Sequence, residues 1–533
     1  MLILMSSDFG LLTRLRFFIA YDIPTQKYLI NYHELFKKDY MSRILMQSVV
    51  RLFSVISIGL MLAQAQAKTK PNVLFIFADD QCFETVANLG LTDIDTPNLD
   101  RLAKSGTQFT RAYNMGSWSG AVCVASRHML ITGRHIWRAQ KAQQVLRGGK
   151  KMTADQKAAR DLEFSNLWPQ VMRRAGYQTF FTGKWHISTA ADRAFEVARN
   201  IRGGMPNQTP EGYNRPLPDK SDPWSPYDVK FDGFWKGGRH WSEVVGDDTL
   251  KFIDESKKDK RPFFMYIAFN APHDPRQAPK KYVDRYPLSR IKVPENYLDQ
   301  YPYKEDIGAG AKLRDEKLGP FPRTHHAVKV HRQEYYAIIE HMDTQIGRIL
   351  DALERSGQVD NTYIFFTADH GLAVGHHGLF GKQNLYEHST RVPFIVAGPG
   401  IKGERKINTP IYLQDVMATS LEIADANRPE QVEFQSLMPI LNGKQKQSKV
   451  KAVYGAYLRV QRSVTVGNWK LILYPEIGKA RLFNIRRDPL EMNDLADDEA
   501  KAALVKRLYK RLIKLQKAHD DTLNLKVSFP KLG

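Results

Sequence analysis

The sequence predicts an α/β fold: a large, mixed but mostly parallel sheet flanked by helices, followed by a smaller α+β region with an antiparallel sheet. Three observations carry this. Five runs, at residues 73–78, 177–181, 263–269, 363–366 and 393–397, are continuously apolar rather than alternating, which marks strands buried on both faces. Helical stretches separate them. The clearest, 334–356, sets Ile338, Ile339, Met342, Ile346, Ile349, Leu350 and Leu353 on one stripe and stops at Gly357. After about residue 425 the pattern changes to runs at 453–457, 463–474 and 480–485 that read as antiparallel strands, then to a basic amphipathic helix at 500–517.

The rest of the chain fits that frame. Two irregular insertions, 203–226 and 274–323, are of a length that marks functional rims or disordered segments. A length of 533 residues with 43% hydrophobic and 25% charged side chains suits one large domain plus a smaller one, and excludes a disordered chain and a polytopic membrane protein. Two cysteines, Cys82 and Cys123, exclude a disulfide scaffold and a cysteine-rich zinc fold.

The amino terminus reads as two pieces. Residues 1–40 show no periodicity and stop just before Met41. From Met41 a secretory signal follows: Arg43 and Arg51 as the positive flank, a short apolar stretch at 52–62, and Ala65-Gln66-Ala67 as the cleavage site. That stretch is too short to span a bilayer. The expected organisation is a spurious upstream extension at 1–40, a signal peptide at 41–67, a catalytic domain at 68–430 and a carboxyl-terminal subdomain at 431–533. The protein is then exported, periplasmic or extracellular, with no stable membrane insertion. Residues 1–67 hold seven basic and four acidic side chains, so the remainder keeps +18 of the chain's +21. Such a charge favours polyanionic partners. No nucleic-acid recognition motif accompanies it, and export argues against nucleic acid.

Polar groups gather just past the strand ends, where open α/β sheets bind ligands. The first run is followed by Asp79-Asp80, the second by Lys184-Trp185-His186, the third by Asn270-Ala271-Pro272-His273-Asp274, and the fourth by Asp369-His370-Gly371. Any one of these could be a cap or a turn. Four at one sheet edge point instead to a cation held among adjacent carboxylates, with Ca²⁺ or Mg²⁺ favoured by hard oxygen ligands.

The segment Cys123-Val124-Ala125-Ser126-Arg127, continued by Leu130 and Thr132-Gly133, resembles the signature of the type I sulfatases of the alkaline phosphatase superfamily. Asp79-Asp80, Gly183-Lys184-Trp185-His186, Pro272-His273, Asp369-His370 and Gly381-Lys382 stand in that family's order, and the likeness extends over about residues 70–495. It includes the bacterial polysaccharide sulfatases. The resemblance implies that Cys123 is oxidised to formylglycine, whose hydrated gem-diol attacks sulfur and later expels sulfate as the aldehyde reforms. It implies metal ligation by Asp79, Asp80, Asp369, His370 and the modified Cys123, with Ca²⁺ expected. Many relatives have Asn where His370 stands, and the softer ligand bears on the choice of metal. Lys184 and Lys382 would hold sulfate oxygens. Arg127 would fix the modified side chain. His186 would take the proton that drives sulfate release, and His273 would protonate the leaving alcohol.

Position 125 is Ala where the commonest form of the signature has Pro. The copper-dependent maturation enzyme favours Pro there and the radical-based bacterial maturase tolerates Ala, so a radical-type formylglycine-generating maturase is the expected partner. Cys82 matches no role and is expected to line the back of the site. Two alternatives stand beside a sulfatase: a phosphonate or phosphate ester hydrolase of the same superfamily, and a non-catalytic binder of sulfated glycans. The expected substrate is a sulfated oligo- or polysaccharide. Arg134, His135, Trp137, Arg138, Trp235, Arg239, His240 and Trp241 are the rim residues expected to contact it.

Overall fold

The computed structural model describes residues 70–204 and 209–532. The start site and export signal read at residues 1–67 lie outside the described residues. Eight strands form the main sheet: β1 (Asn72–Ala78), β2 (Thr107–Phe109), β3 (Gln178–Lys184), β4 (Val197–Arg202), β5 (Phe263–Ala268), β6 (Thr362–Ala368), β7 (Phe394–Ala397) and β8 (Arg405–Ile407). Their order across the sheet is β8-β2-β7-β6-β1-β5-β3-β4. Neighbours are parallel except that β7 runs against both β6 and β2. The five apolar runs thus belong to β1, β3, β5, β6 and β7, and every residue of these five strands is buried. Full burial explains why the run at 393–397 could not be told from a parallel strand.

The four strands that end in polar groups, β6, β1, β5 and β3, lie side by side. Ala78 pairs with Ala368, Phe77 with Ala268, and Ala268 with Gly183. Their carboxyl ends are therefore level. The register of β3 shifts between Thr182 and Gly183. Gly183 sits at φ +97°, and a Cβ there would fall 1.8 Å from the carbonyl oxygen of Ala268. Only glycine permits this approach, and Lys184 is presented immediately after it.

Two groups of helices cover the sheet. One includes His325–Arg355 and Trp241–Ser256, and the other includes Val122–Thr132, Trp168–Arg174 and Asp415–Ile423. The long helix starts nine residues before the expected 334, at a Thr324 cap that accepts from Ala327 N at 3.0 Å. Its early turns bury His331, Arg332 and Glu334, so apolar spacing alone does not show them.

The carboxyl-terminal sheet contains Val453–Tyr457, Gln461–Val466, Trp469–Tyr474 and Lys479–Asn484, all antiparallel. The run at 463–474, read as one strand, is corrected to two. Gly467, at φ +60°, and Asn468 form the turn, and Val466 pairs with Trp469. Gly116–Ser117 adds a parallel edge strand beside Val453–Tyr457. Helix Ala502–Ala518 packs Val505, Leu508, Tyr509 and Leu512 in one cluster with Leu471, Leu473 and Leu482 of this sheet. Among the described residues no helix is long and apolar enough to cross a membrane.

Candidate active site

Cys123 is the second residue of helix Val122–Thr132, which ends at Gly133 in the left-handed conformation. One helical turn separates Cys123 from Ser126 and Arg127, so the motif spacing turns all three toward the same partner. Ser126 Oγ donates to the Asp369 carbonyl at 2.7 Å, and Arg127 Nε donates to Asp369 Oδ2 at 3.2 Å. Arg127 also reaches the Lys184 carbonyl at 2.8 Å and lies 3.5 Å from Asp79 Oδ1. The motif helix is thereby tied to the ends of three strands.

The sheet edge brings the rest together. Asp79, Asp80, Cys123, Arg127, Lys184, His273, Asp369, His370 and Lys382 are all buried. Lys184 Nζ pairs with Asp79 Oδ2. Lys382 Nζ lies 2.6 Å from Asp80 Oδ2, 3.4 Å from Cys123 Sγ and 3.3 Å from His273 Nε2. Cys123 Sγ is 3.7 Å from Asp80 Oδ1 and 3.6 Å from His370 Nε2. Burial pushes the carboxyls of Asp79 and Asp80 up to about 6, against the pull of Lys184 and Lys382 respectively. It also pushes the Cys123 thiol well above its ordinary value, so the unmodified side chain stays protonated and is a poor nucleophile.

The donor set fits a hard divalent cation. One ligand atom each from Asp80, Cys123, Asp369 and His370 lies within 4.8 Å of the others. His370 Nδ1 is 2.8 Å from the Gly371 carbonyl and must donate to it, which leaves the Nε2 lone pair 3.1 Å from Asp80 Oδ1. A lone pair facing a carboxylate oxygen is repulsive unless a proton or a cation stands between them. Asp79 Oδ1 has no hydrogen-bond donor, although it is fully buried. Asp80 and His186 hold positive φ, 71° and 56°, which is unusual for residues with a side chain and marks sites held by their surroundings. Tyr335 helps hold the first. Its hydroxyl donates to the Asp80 carbonyl at 2.7 Å and accepts from Cys82 N at 2.8 Å. Cys82 is buried behind this turn.

The two histidines differ in setting. His186 is half-buried, and burial together with Lys184 and Arg127 pushes its imidazole far down, so it is neutral at rest. His273 Nδ1 lies 2.6 Å from the Asp274 carbonyl and donates to it. Burial and Lys382 keep that ring neutral too, with Nε2 accepting from the Lys382 ammonium.

Several site residues carried no signal in the sequence. Glu316, inside the 274–323 insertion, accepts from the backbone of Phe380 and Gly381 and pairs with Arg323. Asp315 accepts from Gln383 at 2.8 Å and lies 3.9 Å from Lys382 Nζ. Asn114 donates to the Asp369 carbonyl. The insertion was legible as a rim, but these partners obey no fixed spacing.

The expected rim residues are mostly structural, and that reading is corrected. Arg134 pairs with Glu163, and Arg138 with Glu433 and Asp520. His135 packs against His519, and Trp137 donates to Tyr454. His240 is fully buried, caps its helix and bonds the Gln277 carbonyl, while Trp241 is also buried. Arg239 is exposed but pairs with Asp247. Trp235 is half-buried beside His240.

Comparison with known proteins gives the family. The family model described as sulfatase matches residues 71–426, and that of the N-sulphoglucosamine sulphohydrolase carboxyl-terminal region matches 375–518. A sulfatase of Formosa agariphila is 30% identical over 79% of this chain and 82% of its own. An N-acetylglucosamine-6-O-sulfatase of Bacteroides thetaiotaomicron is 25% identical over 86% of this chain and 88% of its own. A solved complex of a protein with its substrate D-glucosamine-2-N,6-O-disulfate superposes with a TM-score of 0.66 at 22% identity, covering 85% of this chain and 99% of that one.

Proposed function

Since the chain belongs to the sulfatase family and is a sulfuric ester hydrolase, we propose that it cleaves sulfate esters of a sulfated saccharide, using a formylglycine made from Cys123 and a divalent cation, Ca²⁺ by preference over Mg²⁺. The observation that carries the reading is the convergence of Lys184, Lys382 and Arg127 with Asp79, Asp80 and Asp369 around a buried Cys123. Three cations balance three carboxylates, so an added divalent cation leaves the site positive toward an anionic ester. Asp80, Asp369 and His370, with Asp79 beside them, would hold that cation.

When present, formylglycine supplies the attacking hydroxyl, and the cation draws charge off the ester oxygens. The chain's own residues do the rest. Lys184 and Lys382 hold sulfate oxygens, and Arg127 fixes residue 123 against Asp369. Once protonated, His273 would give the leaving oxygen a proton from Nε2, its Nδ1 being held by the Asp274 carbonyl, while Lys382 keeps its own proton. His186, neutral, takes the proton that accompanies sulfate release. Sulfated sugars are supported as substrates by the polar cavity beside His186 and by the sugar sulfatase among the relatives. Ala125 supports maturation by the radical-type enzyme, and residues 41–67 support export.

The test is turnover of sulfated oligosaccharides, an aryl sulfate and a phosphonate monoester by chain whose residue 123 has been characterised by mass. Sulfate release that tracks the formylglycine fraction supports the reading. A preference for the phosphonate would replace it with the phosphonate hydrolase alternative.

A further inference from the structure

A cavity of about 510 Å³ opens beside His186, within the ~300–1,000 Å³ typical of small-ligand sites. Gln140, Gln143, Gln144 and Arg147 of helix Ile136–Arg147 line it. Their spacing of three, four and seven residues puts all four on one helical face. Trp118 also lines the cavity, and its Nε1 donates to Gln143 Oε1 at 3.0 Å, which orients the ring. Among the described residues no carboxylate lines it.

Arg147 is exposed and has no carboxylate partner among the described residues, whereas Arg138 of the same helix is tied to Glu433 and Asp520. Buried His128 lines the same cavity. It is held neutral, down at about 4, by burial and by the charge of Arg147, against the bond its Nδ1 donates to the Val124 carbonyl, and its Nε2 accepts from Ser188 N at 3.1 Å. That ring is committed to the scaffold, so Arg147 is the free charge of the cavity among the described residues.

Resting on the sulfatase reading, we propose that this cavity binds the sugar unit at the scissile ester and that Arg147 recognises a second anionic group on it, a carboxylate or a further sulfate. Side-chain amides both donate and accept, which matches sugar hydroxyls. An indole face stacks on the apolar face of a ring. The guanidinium fork matches a planar carboxylate or two sulfate oxygens. The absence of acidic lining removes repulsion. A small aryl ester would use none of the amides.

Competition against 4-nitrophenyl sulfate turnover tests this on the matured full chain, because it reads occupancy whether or not the competitor is cleaved. The probes are matched saccharides with one sulfate, with two sulfates, or with a sulfate and a uronate. Doubly anionic saccharides should inhibit about ten- to a hundredfold more tightly than singly anionic ones, the range for a charge-assisted hydrogen bond. Arg147→Gln should abolish that difference, and Arg147→Lys should restore part of it. Lys510→Gln, at an exposed position that does not line the cavity, should leave it intact. Equal inhibition by both classes, or an undiminished preference in Arg147→Gln, would overturn the proposal while the sulfatase reading stands. A chain with modified residue 123 that turns over neither the aryl sulfate nor any probe would overturn both.

Discussion

Glu316 accepts hydrogen bonds from the backbone N of Phe380 at 2.9 Å and of Gly381 at 2.8 Å, directly before the active-site Lys382. The carboxylate is fully buried and also pairs with Arg323. An irregular insertion thus sets the position of a lysine that contacts Asp80, Cys123 and His273.

Glu316→Gln tests that link. An amide accepts through one oxygen only, so one backbone N–H loses its partner and Arg323 is left buried without a counter-charge. Breaking a buried pair costs roughly 3–5 kcal/mol. Unfolding measurements should show a loss of that order. At temperatures where the variant stays folded, kcat should fall about tenfold or more as Lys382 loses its fixed position. Wild-type stability and kcat in this variant would refute the role.

Cys123 should appear in active protein as formylglycine. Trypsin releases residues 112–127 as one peptide, and its mass should be lower than that of the cysteine form. Cys123→Ser, nearly isosteric, should fold normally and be inactive when made without a serine-type maturase. Full activity from chain holding only unmodified Cys123 would sink the mechanism.

Unmodified, native chain should resist alkylation. Both cysteines are buried, and burial pushes both thiols up. Iodoacetamide labelling at pH 9 should therefore be slow in native protein and fast after denaturation, because the thiolate is the reacting form. Rapid native labelling of residue 123 would contradict the site geometry.

Cation binding should weaken in acid. Asp79 and Asp80 hold their protons up to about 6 in the cation-free site, and a bound cation must displace them. Calorimetric Ca²⁺ affinity should fall by about one to two orders of magnitude between pH 8 and pH 5. The stability sign follows. Without cation, these carboxyls favour the folded state fully below their unfolded value near 3.8, and that contribution is lost as pH rises through about 6. Ca²⁺ should then raise the melting temperature more at pH 8 than at pH 5. Asp369→Asn should remove this response along with most activity, and a pH-independent response would argue against carboxylate ligation.

The sequence by itself was enough for five of the sheet's eight strands and for the motif residues of the site. Strands buried on both faces have to be continuously apolar, so β1, β3, β5, β6 and β7 stand out as runs. Apart from Lys382, the motif residues stand at or just past the ends of β1, β3, β5 and β6 or one helical turn apart, as Cys123 and Arg127 do, and local geometry preserves such spacing. Only the tertiary structure decided which cations are free. Arg138 and Glu433 are 295 positions apart, yet they pair. His240 looked like a rim residue among Trp235, Arg239 and Trp241, but it is fully buried under the Gln277 carbonyl. Arg147 drew no attention in the sequence and is the cation left beside the cavity. Periodicity records which residues are buried within one element. A charge's partner is set by contacts between segments distant in the chain, and no local pattern encodes them.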